Sequence, residues 1–108
     1  GFNTLVFDNL CRGNRFTILD APFIQGDLKD THLLAQIFEN HSINTVMHFA
    51  ALTDVGESVR DPAAYYLNNV HYTFNLLNVL VKHHVKHLIY SSSAAIFGLP
   101  LSDRIDEN

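Results

Sequence analysis

Leu88-Ile89-Tyr90-Ser91-Ser92-Ser93-Ala94-Ala95-Ile96-Phe97-Gly98 reads as a short apolar strand that empties into three hydroxyls and then into small residues. In an open α/β sheet the carboxyl ends of the strands face the ligand crevice, so hydroxyls at that point mark a candidate site. A strand this short needs partners, and the chain upstream supplies them.

Immediately before it, Asp61-Pro62 combines an N-cap residue with proline at the first helical position, and Leu67, Val70, Phe74, Leu77 and Val81 follow at spacings of three and four. This predicts one long helix to about His83, with Lys82, His83 and His84 in the last turn complementing the helix dipole. Further back, Thr45-Val46-Met47-His48-Phe49 is apolar enough for a strand buried in a parallel sheet, and Ala50-Ala51 removes side-chain bulk after it. Leu33, Leu34, Ile37 and Phe38 give a helix over Thr31 to Asn40 that Asp30 or Thr31 can cap. Thr4 to Asp8 and Pro22 to Gln25 complete the set as two more strands, with a loop at Cys11 to Arg15. Strand and helix signals that alternate in this way predict an α/β fold with a doubly wound parallel sheet, and no linker divides residues 1–108.

Composition narrows the partners. The chain has 108 residues, 47% hydrophobic and 17% charged, which fits one small globular domain. Its 7 Lys+Arg are scattered, so no basic stripe exists to displace phosphate counterions and nucleic acid is not an expected partner. No apolar run approaches the ~18 residues of a membrane span, and neither a membrane nor a secretory signal is expected. The single cysteine, Cys11, fits a reducing, cytoplasmic location.

Asp8, at the end of the first strand, can accept hydrogen bonds from the two hydroxyls of an adenosine ribose, although an Asp there is also a common turn former. Gly26-Asp27 stands at the next strand end, where an adenine edge would lie. The glycine-rich loop Gly-x-Gly-x-x-Gly that would cradle a pyrophosphate is absent from the 108 residues. His83, His84 and His87 are spaced like metal ligands, but two sit at a helix end with no Cys or carboxylate beside them, and no metal site is expected. His48 reads as a packed, hydrogen-bonded histidine, Tyr65 and Tyr66 as packing at the helix start, and Ser91 and Ser92 as hydroxyls that satisfy the strand end.

Taken together, His48-Phe49-Ala50-Ala51, Val55-Gly56-Glu57-Ser58-Val59, Asp61-Pro62, Tyr65-Tyr66, Asn68-Asn69-Val70 and Ser91 to Gly98 closely resemble the UDP-glucose 4-epimerases, within the NAD-dependent epimerase/dehydratase family of extended short-chain dehydrogenase/reductases. Asp8-Asn9-Leu10 and Gly26-Asp27-Leu28 match in the right order. The resemblance implies a Rossmann-like domain, NAD as cofactor and a UDP-hexose substrate, whose C4 is inverted through a transient ketone. It further implies that Asp8 and Asn9 hold the adenosine ribose and Asp27 and Leu28 the adenine. Phe49, Ala50, Ala51, Leu52 and Thr53 would line the cofactor crevice, and Asn68 would contact the cofactor. Ser93 would be the catalytic hydroxyl that orients the reacting oxygen beside a Tyr-x-x-x-Lys pair. A homodimer through two helices is implied for the full-length enzyme.

The chain departs from the family at Thr53, where many members have lysine, at Tyr72, where a small residue is usual, and at Phe97, where tyrosine is usual. Arg12, four residues after Asp8, would favour a 2′-phosphate, but the acidic Asp8 argues for NAD over NADP. No Tyr-x-x-x-Lys occurs in the 108 residues. In the strand order 3-2-1-4-5-6 the missing first strand falls between those at Thr4 and Thr45, so a gap is expected in the middle of the sheet. The expectation is an internal part of a longer chain: a partial NAD-binding domain without its substrate domain, inactive and weak for NAD when isolated. The alternatives are a degenerate remnant with a weak nucleotide-binding or interaction role, and a fragment of a related sugar-nucleotide dehydratase.

Overall fold

The computed structural model describes residues 1–98, apart from the side chains of Ala94 and Phe97, so the Phe97 departure lies outside the described residues. Strands β1 (Val6–Asp8) and β2 (Phe23–Gln25) pair in parallel, Val6 opposite Phe23 and Asp8 opposite Gln25. Strands β3 (Thr45–His48) and β4 (His87–Tyr90) form a second parallel pair, from Thr45 opposite His87 to His48 opposite Tyr90. Among the described residues no strand joins the two pairs, which agrees with the expected gap between them.

Helix α1 (Thr31–Asn40) follows β2 and is capped by the Asp30 carboxylate, which accepts from Leu33 N at 2.9 Å. After β3 the chain forms a short helix, α2 (Val55–Arg60), capped by Asp54, where the sequence showed only a motif. Six residues carry too little periodicity to read as a helix.

The long helix is a composite. It begins as α3 (Pro62–Tyr66), widens to a π-helical turn over Leu67–Tyr72 and resumes as α4 (Thr73–Lys82). Spacings of three and four fit either winding, so the inserted turn was invisible to the pattern. The end also differs from expectation, because only Lys82 lies in the last turn. His84 adopts a left-handed conformation, φ 58°, and its N–H donates to Val81 O while Val85 N–H donates to Leu80 O. Those two bonds satisfy the last carbonyls and turn the chain toward β4, a job usually given to glycine.

The core forms where α1 meets α4. Leu28 and Leu34 come from the β1–β2 half and Leu76, Val79 and Leu80 from α4, with Phe7, Val46 and Val85 packed around them. β3 alternates, Val46 and His48 inward and Thr45 and Met47 outward, instead of being buried on both faces as its apolar run implied. No helix among the described residues is long and apolar enough to cross a membrane.

Candidate functional site

All four strands deliver their carboxyl ends to one side of the molecule, and polar residues collect there. At the end of β1 the Asp8 carboxylate accepts from Leu10 N at 2.6 Å and holds Leu10 at φ 59°. Asn9 turns its side chain toward the next strand, donating through Nδ2 to Asp27 Oδ2 at 3.0 Å. Asp27 Oδ1 accepts from Lys29 N at 3.0 Å. Burial works to raise the Asp27 carboxyl, but the hydrogen bonds from Lys29 and Asn9 outweigh it and hold the group below its ordinary 3.8. Near neutral pH Asp27 therefore only accepts hydrogen bonds.

Gly26 makes this closeness possible. A Cβ there would stand 2.5 Å from both Phe7 Cε2 and Leu33 Cδ2, so any larger residue must push those side chains aside before the end of β2 can lie against β1 and α1.

The segment after β3 is held by two consecutive asparagines of the π-helical turn. Asn69 bonds Leu52 twice, accepting from Leu52 N at 2.8 Å and donating to Leu52 O at 2.9 Å. Asn68 donates to Ala50 O at 3.3 Å and to Asn69 Oδ1 at 2.9 Å. The wall of small residues is thereby fixed through its main chain. π-helical turns recur at functional sites, and here the turn presents neighbouring residues to one loop.

At the end of β4, Ser92 is left-handed, φ 57°, and Ser93 caps the short turn Ala94–Phe97, its Oγ accepting from Ala95 N at 3.2 Å. A hydroxyl has one donor and two acceptor positions, and among the described residues the Ser93 proton has no acceptor.

A groove connects these ends. Its first chamber, about 140 Å³, is bordered by Asp8, Asn9, Asp27, Leu28, Asn68 and the Phe49–Leu52 segment. Its second, about 460 Å³, is bordered by Thr53, Tyr65, Asn69, Tyr90, Ser92 and Ser93, with Ala51 and Leu52 common to both. The structure thus brings all the candidate residues to these two adjoining pockets, Thr53 and Ser93 in the second and the others in the first. Leu28 differs in kind from the others, because its side chain is only 8% exposed and belongs to the core.

The comparison of this chain with protein families matches it over residues 1–108 to the NAD dependent epimerase/dehydratase family. The chain belongs to that family. It is 45% identical, over its whole length, to a UDP-glucose 4-epimerase of Halalkalibacterium halodurans. The solved UDP-glucose 4-epimerase of Brucella ovis in complex with NAD superposes with a TM-score of 0.86 at 39% identity over 99% of this chain. That of Bifidobacterium longum, in complex with NAD+ and UDP, gives 0.84 at 36% identity, again over 99%. The chain covers 32%, 33% and 34% of these three, so it spans about a third of the relatives it matches. Membership and likeness agree with the Rossmann-like α/β reading made from the strand and helix pattern.

Three side chains at or beside the groove make contacts that the sequence, which gives Tyr65 only a packing role, does not assign. Asn69 stood inside a quoted motif, but nothing in the motif distinguishes a residue that holds the wall from one that touches a ligand. Glu57 and Tyr65 are the others. Glu57 forms an ion pair with Arg12, which borders the first chamber, and accepts from Tyr65 Oη at 2.9 Å. The Arg12 hydrogen bond, then that of Tyr65, holds the Glu57 carboxyl below its ordinary 4.5. Partners 45 residues apart leave no local signature.

Proposed function

We propose that these residues belong to an NAD-dependent UDP-glucose 4-epimerase, which interconverts UDP-glucose and UDP-galactose through a transient 4-keto sugar. The grouping of these residues along two adjoining pockets carries this reading: carboxylates at one end, a main-chain wall in the middle, a hydroxyl at the other. Asp8 and Asn9 suit a ribose diol and Asp27 an adenine edge. Bound NAD supplies a reversible hydride acceptor. Ser93 donates to the sugar C4 oxygen and orients it, while the proton passes to and from a Tyr-x-x-x-Lys tyrosine that these 108 residues do not contain. Thr53, in place of the lysine common in the family, offers a hydroxyl at the second chamber and no charge.

Calorimetric titration of the complete chain with NAD, and a coupled assay of UDP-galactose conversion, test the reading. Asp8→Ala weakens NAD about tenfold, and Ser93→Ala lowers kcat about 10²-fold. Detectable epimerisation by the isolated 108-residue polypeptide would show that the missing pair is dispensable.

The same reading includes a homodimer. Tyr66, Val70, Phe74 and Val81 form an exposed apolar stripe on the composite helix, with Phe74 62% exposed, and a second copy of that helix is its occupant. Phe74→Glu converts the dimer to monomer in light scattering. Cytoplasmic location is supported by the free, exposed Cys11, which a reducing compartment preserves.

A further inference from the structure

We infer that Glu57 is a specificity-determining residue: by engaging Arg12 at the mouth of the Asp8 chamber it withdraws the cation that would otherwise accept a 2′-phosphate, and so selects a dinucleotide with a free 2′-hydroxyl. The inference rests on the cofactor reading above and deepens it.

Among the described residues Arg12 is the only cationic one bordering that chamber, and it enters from the loop that leaves Asp8. In dinucleotide-binding folds an acidic residue at the first strand end takes the ribose diol, whereas a nearby arginine accommodates a 2′-phosphate. Both kinds of residue are present here, so the acidic residue alone does not decide the choice. What decides it is where the guanidinium goes. Its Nη2 meets Glu57 Oε2 on α2, a residue that does not itself border the chamber, and Glu57 is in turn held by Tyr65 Oη. A carboxylate pinned by a second donor competes with an incoming phosphate both for the fork of N–H donors and for the positive charge. Arg12 keeps a side chain 60% exposed, so stability gains little from the pair and its main consequence is where the charge points.

Glu57→Gln in the complete chain tests this, with NAD and NADP dissociation constants measured calorimetrically. The variant narrows the preference for NAD over NADP about tenfold, the scale of one charge-assisted hydrogen bond. Adding Arg12→Ala to Glu57→Gln restores the original ratio. Tyr65→Phe, which keeps the ion pair but loosens Glu57, moves the ratio the same way by a smaller factor and serves if Glu57→Gln folds poorly. An unchanged ratio in both variants overturns the inference, as does equal weakening of the two dinucleotides, which would make the pair a simple clasp. If the unmodified chain binds neither dinucleotide, the cofactor reading itself falls, and this inference with it.

Discussion

The half built on β1 and β2 and the half built on β3 and β4 offer a ligand different things. The first presents charged side chains, Asp8 and Asp27, each already tied to a neighbouring main-chain N–H. The second presents main chain and hydroxyls, a wall of small residues whose shape depends on asparagine side chains reaching in from behind. Acceptors can recognise a ribose or a base edge even with some freedom of movement, because charge acts over distance. The two halves share no strand pairing among the described residues; the leucine core between α1 and α4 and the Arg12–Glu57 pair connect them.

The strongest way to break the comparison is through what the halves share. Leu80→Ala empties a position only 4% exposed in that core, and a cost of about 2–5 kcal/mol is expected. Both halves should melt together, in one transition at lower temperature by circular dichroism. Two separate transitions would mean that each half is stable alone. Asn69→Ala comes next, at about 1–3 kcal/mol, because it leaves Leu52 N–H and C=O without their partners. This loss is local. Hydrogen exchange at the Leu52 amide should accelerate, whereas Leu10, held by Asp8 in the other half, keeps its protection; acceleration at both would erase the distinction between the halves.

Much of the fold was legible because its signals are local. Asp30 caps α1, Asp61-Pro62 opens α3, and β4 spans His87 to Tyr90 as its apolar run implied. The gap between the strand pairs was legible only through the resemblance, which implies an absent first strand and supplies the strand order that fixes its place. Other features were hidden for a physical reason. The π-helical turn leaves apolar spacing almost unchanged, and the left-handed His84 carries none of the usual glycine marking. At the candidate site, Asp8 and Asp27 stand out by their place at strand ends and Ser93 only through the resemblance, whereas Asn69 and Glu57 act on partners that only tertiary structure brings near.

His48 gives the smallest effect and the finest test, because it is the buried polar residue of the β3–β4 half. It is 4% exposed, its Nε2 lies 2.9 Å from Thr73 Oγ1, and its ring meets Tyr90 edge-on at 5.2 Å. Burial holds the imidazole below its ordinary 6.5, so the folded state keeps it neutral while the unfolded chain would already take up a proton. The stability it contributes is complete above pH 6.5 and is lost as pH falls toward its folded pKa, with a slope of at most about 1.4 kcal/mol per pH unit. His48→Phe keeps an aromatic ring against Tyr90 but cannot bond Thr73 or titrate. At pH 8 the variant should be about 1 kcal/mol less stable, the net worth of one neutral hydrogen bond. On acidification the two denaturation curves should converge and then cross, because only the parent must keep a buried imidazole uncharged. Curves that stay parallel between pH 8 and pH 5 would place the titrating histidine elsewhere and leave the β3–β4 half, like its partner, without a buried proton switch.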